Sequence, residues 1–144
     1  MSDPKSDYYR RDNRKGISPP ILTKSATPAQ HIVRARGKRT QFSSVSLDPD
    51  SVREFGNTLY KLKRDKVETD KHKLIEHDNL IADLKRVAQA GVREERVLAL
   101  HALRYALRRK EGLVEWAFKI DGIDRKRLVA WTIQQVNQYF SRVS

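Results

Sequence analysis

The 144-residue sequence contains no cysteine. That excludes disulfides, thiol nucleophiles and thiolate metal sites, and it leaves the redox compartment open. The six glycines stand singly, so there is no glycine-rich loop to cradle a phosphate. No apolar run approaches the roughly 18 residues a bilayer span requires. The first residues carry no apolar stretch of the kind a secretory signal needs, and Asp3, Asp7 and Asp12 run against a transit peptide, which is poor in acids. The expected location is therefore cytoplasm, nucleoid or nucleus, with no membrane partner. Acidic residues are also scarce: 18 Asp and Glu face 30 Lys and Arg, a net charge of +12. Such a surface attracts polyanions over long range and in a salt-dependent way, and nucleic acid is the commonest of them.

The composition shifts near residue 47. Residues 1–47 hold four of the five prolines, many serines and threonines, and no hydrophobic period. They carry ten Lys and Arg against three Asp, a net +7. A segment with so little to bury cannot offset its ordering entropy, so the expectation is a disordered basic arm over 1–47 and a folded α-helical domain over 48–144.

The second part begins at "SLDPDSVREF", where Asp48 is placed to cap a helix and Pro49 to occupy its first position. Val52, Phe55, Leu59 and Leu62 then recur at helical spacing, and Gly91 reads as a stop. This predicts a long N-terminal helical segment, as one helix or as two over about 49–64 and 66–90. Further helices are predicted over about 93–110, 113–120 and 124–141. In the third of the five, Glu94 and Glu95 open the first turn and Arg108, Arg109 and Lys110 close the last, in accord with the helix dipole. Its near-continuous apolar residues predict a central, buried helix, with His101 inside the core. No strand pattern emerges, so the fold class expected is all-α, a helical bundle.

Catalytic groupings are sparse. Glu68, His72 and Glu76 share a helical face, but the same spacing suits solvated ion pairs, and no further ligand stands out. No serine lies in a nucleophile elbow, and neither a metal nor a cofactor is expected. The sequence reads as a non-enzyme.

Binding residues are more legible. In "HIVRARGKRTQF", Arg34, Arg36, Lys38 and Arg39 form a dense cluster suited to phosphate contacts. Tyr8 and Tyr9 adjoin Arg10 and Arg11, a combination that suits stacking on single-stranded bases. The segment "LVEWAFKIDGIDRKRLVAWTIQQ" partly resembles a helix-turn-helix. Ala117 takes the small position, Gly122 the turn and Asp124 the cap; Ile123, Leu128 and Trp131 are the inward anchors. Arg125, Lys126 and Arg127 would then meet phosphates, and Gln134, Gln135 and Gln138 base edges or phosphates; the alternative is two amphipathic helices that close a bundle with the basic residues toward solvent. The leading expectation is a nucleic-acid-binding protein of regulatory, packaging or nucleoprotein-cofactor type. The rival is a protein-interaction adaptor or homo-oligomer, its arm carrying linear, import or phosphorylation motifs. Thr40, Ser43, Ser44 and Ser46 are the candidate phosphoacceptors, where phosphate would cancel nearby charge.

Overall fold

A computed structural model of the chain describes residues 5–33 and 39–143. In chain order the elements are β1 (Tyr9–Asp12), α1 (Pro28–Val33), β2 (Phe42–Ser46), a 3₁₀ segment (Pro49–Phe55) and β3 (Thr58–Leu62). They continue with α2 (Arg64–Thr69), β4 (Lys73–Ile75), α3 (His77–Ala90), α4 (Arg93–Arg109), β5 (Glu111–Glu115), α5 (Arg125–Asn137) and β6 (Phe140–Arg142). The strands form one six-stranded sheet in the order β4-β5-β2-β1-β3-β6, every neighbouring pair antiparallel.

The fold is therefore mixed α/β, and the all-α helical bundle expected from periodicity is wrong. The disordered basic arm is wrong as well, because its residues supply the two central strands. β1 pairs with β3 from Tyr9↔Lys61 to Asp12↔Thr58, and β2 pairs with β5 from Phe42↔Glu115 to Ser46↔Glu111. These strands draw their order from partners far along the chain, which a local reading of "YRRD" or "FSSVS" does not reveal.

The long N-terminal helical segment is broken for reasons that can be traced. Asp48 does cap, its carboxylate accepting from the Asp50 amide at 3.0 Å, and Pro49 follows in the first turn. The turn is 3₁₀, however, and kinks at Val52, where φ is −125°. Thr58, Tyr60 and Leu62 then alternate inward as a strand. α2 ends where Lys71 takes a left-handed φ of 65°. α3 stops at Gly91, and α4 and α5 lie close to their expected bounds. The helix expected over 113–120 is replaced by β5, whose Leu113 and Val114 are both fully buried. A strand covered on both faces reads as a continuous apolar run rather than an alternation.

The two faces of the sheet carry separate cores. α1, α3 and α4 cover one face through Ile32, Leu80, Leu84, Ala102, Ala106 and Leu113. α5 and α2 contribute Val136 and Val67 to the other, around Val45, Tyr60, Val114, Trp116, Tyr139 and Phe140. Trp116, Tyr139 and Phe118 surround the His72 ring. Gly112 is a place of close approach, since a Cβ there would sit 2.8 Å from the Tyr8 ring.

Candidate anion-binding cavity

Alternation along β2 turns Phe42, Ser44 and Ser46 to the α1/α4 face of the sheet. Antiparallel pairing sets Ser46 opposite Glu111, which leaves Ser44 diagonal to it. α1 brings His31 over this pair, and the end of α4 brings Arg109. The result is a cavity of about 360 Å³ lined by Arg10, Arg11, His31, Arg39, Ser44, Arg109 and Glu111, with the Tyr9 and Phe55 rings in its wall. That volume suits a small ligand or a single nucleotide and is far too small for a double helix.

His31, Ser44 and Glu111 of its wall form a hydrogen-bonded chain with the buried Thr40 behind them. His31 Nδ1 meets the Thr40 hydroxyl, and His31 Nε2 lies 2.8 Å from Ser44 Oγ. Ser44 Oγ is 3.0 Å from Glu111 Oε2. The Phe42 amide already donates to Thr40 Oγ1 at 3.2 Å. With Glu111 ionised, one arrangement uses each proton once: Thr40 donates to His31, His31 Nε2–H to Ser44, and Ser44 to the carboxylate. With Glu111 protonated, the direction from Glu111 through Ser44 to His31 reverses.

Burial sets the charges of this relay. It pushes the Glu111 carboxyl up to about 7, against the lowering effects of the Ser44 hydrogen bond, Arg109 and Arg10. Burial, reinforced by Arg10, pulls the His31 imidazole down to about 4. A serine beside a histidine is the start of an activated nucleophile, but that chemistry needs an imidazolium stabilised by an acid on Nδ1. Here Nδ1 faces a hydroxyl, and burial and Arg10 both oppose the cation. The relay is suited to fixing polar groups in place.

The arginines differ in how they are held. Arg10 donates from Nε to Asp12 and from Nη1 to the Ser44 carbonyl, both at 2.8 Å. Burial raises the Asp12 carboxyl, but Arg10 and two Ser18 hydrogen bonds outweigh it and the net shift is down. Arg11 Nε donates to the Pro49 carbonyl at 2.7 Å. Arg109 is only 5% exposed and lies between the Phe55 and Tyr105 rings, 4.7 and 4.8 Å from their centroids. Its Nε has no hydrogen-bond partner, and its carboxylate neighbours Glu54 and Glu111 are 3.8 and 3.9 Å away. A buried guanidinium so loosely paired retains donor capacity for an anion. Arg39 is exposed at the cavity wall.

The structure brings together Arg10, Arg11, Arg39 and Ser44 of the sequence candidates. Arg34, Arg36 and Lys38 lie outside the described residues. Tyr9 lines the cavity, whereas Tyr8 is core, its hydroxyl accepting from the His77 amide at 2.7 Å. Thr40, Ser43 and Ser46 are buried, and their hydroxyls contact His31, the Trp116 indole and the Arg109 carbonyl. Arg125, Lys126, Arg127 and Gln134 are exposed on α5, and Gln138 just after it, and α5 packs on the opposite face of the sheet from Ser44 and Glu111. Asp124 caps α5 and Gly122 has a φ of 80°, but the preceding helix of the resemblance is β5, so there is no helix-turn-helix.

His72 accepts from the Ala117 amide at 2.9 Å and lies 3.0 Å from the Tyr139 hydroxyl, so both ring nitrogens are engaged. Among the described residues, no three or more His, Asp or Glu side chains are grouped to hold a metal ion. Nor is any helix among them long and apolar enough to cross a membrane. Sequence reasoning missed His31, Arg109 and Glu111 as site residues. His31 and Glu111 meet Ser44 across 13 and 67 residues of chain, Arg109 joins them beside Glu111, and no local motif marks such a meeting.

The fold and the cavity define a small basic α/β protein with an arginine-lined pocket on a central antiparallel sheet. Comparison with family models, with curated proteins and with solved structures finds no match to this chain.

Proposed function

We propose that the protein is a non-enzymatic nucleic-acid-binding protein whose cavity receives a nucleotide of a single strand. One observation carries this reading: four arginines, Arg10, Arg11, Arg39 and Arg109, line the same 360 Å³ cavity as the Tyr9 and Phe55 rings. Arginine supplies planar donors for phosphate, and an aromatic ring supplies a sequence-tolerant platform for a base. The net charge of +12 draws the strand in, and Arg34, Arg36 and Lys38, close to Arg39 in sequence, add to that charge. The size of the cavity favours an unpaired nucleotide over a duplex.

Fluorescence anisotropy with single-stranded and duplex oligonucleotides, from about 50 to about 200 mM salt, tests this. Single strands are expected to bind more tightly, with affinity falling steeply as salt rises. Arg39→Ala should lower the log–log salt slope by about 0.7. Phe55→Leu, which keeps an apolar cover on Arg109 but removes the ring, should cost about 1–3 kcal/mol of binding. Absence of binding to either nucleic acid at the lowest salt would overturn the reading.

A further inference from the structure

α4 buries Ala99, Ala102 and Ala106 against its neighbours, and its outer face is unusual. Val97, Leu100 and Leu107 are each about half exposed, at 49%, 54% and 50%. The residues interspersed with them, Arg93, Arg96, Arg104 and Arg108, are also exposed. No Asp or Glu falls within this set; the acids of α4, Glu94 and Glu95, stand in its first turn. Arg93, Val97, Leu100, Arg104 and Leu107 follow one another at steps of four, three, four and three. That is the seam spacing by which one helix lies along another. At 1.5 Å per residue the seam runs about 21 Å, or two heptads.

We propose that this face docks an acidic amphipathic helix of a protein partner, apolar residues meeting Val97, Leu100 and Leu107 and carboxylates meeting Arg93 and Arg104. The inference is independent of the nucleic-acid reading, which concerns the cavity. The positions of the arginines select the occupant. Arg104 sits inside the seam between Leu100 and Leu107, so a flat hydrocarbon surface would bury its guanidinium unpaired. A second copy of α4 fares no better. In parallel pairing Arg93 and Arg104 each face themselves, and in antiparallel pairing Arg104 faces either Arg93 or an apolar seam residue such as Leu100 of the other copy, never a carboxylate. A helix carrying Glu or Asp opposite those two positions satisfies both the apolar and the charged groups, and the remaining arginines pair with acids on its flanks.

The test uses the full chain and a labelled two-heptad helical peptide with Leu at its seam and Glu opposite and beside the arginines. Anisotropy should show binding that weakens at least tenfold for a scrambled peptide of the same composition. It should weaken at least tenfold again for Leu100→Ser, and be lost for Arg104→Glu. Binding by Arg104→Glu should return when the facing Glu of the peptide is replaced by Lys. Circular dichroism of both variants checks that these surface changes leave the fold intact. Equal binding of the scrambled peptide would overturn the proposal, because charge alone would then suffice. So would concentration-dependent dimerisation lost in Leu100→Ser, which assigns the face to a second copy. Binding to phosphatidylserine vesicles in preference to the peptide would overturn it in favour of a membrane, and binding to none of these would overturn it outright.

Discussion

Residues 48–144, expressed without the first 47, are expected to show no cooperative unfolding transition. The removed segment contains β1 and β2, which stand side by side in the middle of the sheet. Without them the ladder splits into β4 with β5 and β3 with β6, and two-stranded pieces are marginal alone. The loss also strips both cores: Tyr8, Ile17 and Val45 leave one, and Ala29, Ile32 and Phe42 leave the other. At about 1.5–3 kcal/mol for each large buried side chain, that is comparable to the whole stability of a typical domain, about 5–15 kcal/mol. Far-ultraviolet circular dichroism under heat and urea reads the result. A sharp transition with a midpoint near that of the full chain would instead describe a helical body with a dispensable arm.

Glu111→Gln is expected to change the pH dependence of stability by about 3 kcal/mol. The folded Glu111 carboxyl is raised to about 7 from an ordinary 4.5, so the folded state holds its proton longer than the unfolded chain does. Its contribution is fully present below about pH 4.5 and is lost as pH rises through about 7. A shift of this size corresponds to about 3 kcal/mol. His31 works in the opposite sense. Its imidazole is lowered to about 4 from 6.5, so its contribution is present above about pH 6.5 and is lost as pH falls through about 4. Between pH 4.5 and 6.5 the two slopes offset in the native chain, and stability there is nearly level with respect to this pair. Glutamine keeps the shape and hydrogen bonding of the neutral acid, so the variant retains only the His31 slope. Urea denaturation from pH 4.5 to 7.5 should show the variant gaining on the native protein by about 3 kcal/mol across that range. Parallel profiles would mean that Glu111 titrates in the ordinary acid range and that its burial is compensated.

Much of the helical content was legible because its signals are local. The Asp48 cap, the Gly91 stop, the acid-first and base-last order of α4 and the Asp124 cap each need only a few neighbouring residues. The strands were not legible, for three different reasons. Leu113 and Val114 of β5 are covered on both faces, so no alternation marks them. Leu59 and Leu62 in β3 also fit a helical period with Val52 and Phe55. β2 is serine-rich and reads as loop, yet Ser43, Ser44 and Ser46 are ordered by the Trp116 indole, His31 and Glu111, and the Arg109 carbonyl. Helical periodicity also misplaced the buried side of α4. Its alanines face inward, while His101 and the larger apolar residues Val97, Leu100 and Leu107 stand outside.

The site divides in the same way. Charge density alone picked out Arg10, Arg11 and Arg39, since a run of arginines is visible wherever it folds. The residues that turn those charges into a cavity were hidden. Glu111 falls between the helices expected over 93–110 and 113–120 and is a strand residue 2% exposed. Arg109 looked like a dipole-satisfying cation and is instead clasped between two rings. Only the sheet register and the meeting of α1, β2, α4 and β5 place them together.

Backbone amide chemical-shift mapping during titration with a short single-stranded oligonucleotide tests the central claim most directly. The account predicts that the largest changes fall on Tyr9, Arg10, His31, Arg39, Ser44, Phe55, Arg109 and Glu111. Changes confined to the start of α5, at Arg125, Lys126 and Arg127, with the cavity residues unmoved, would contradict it.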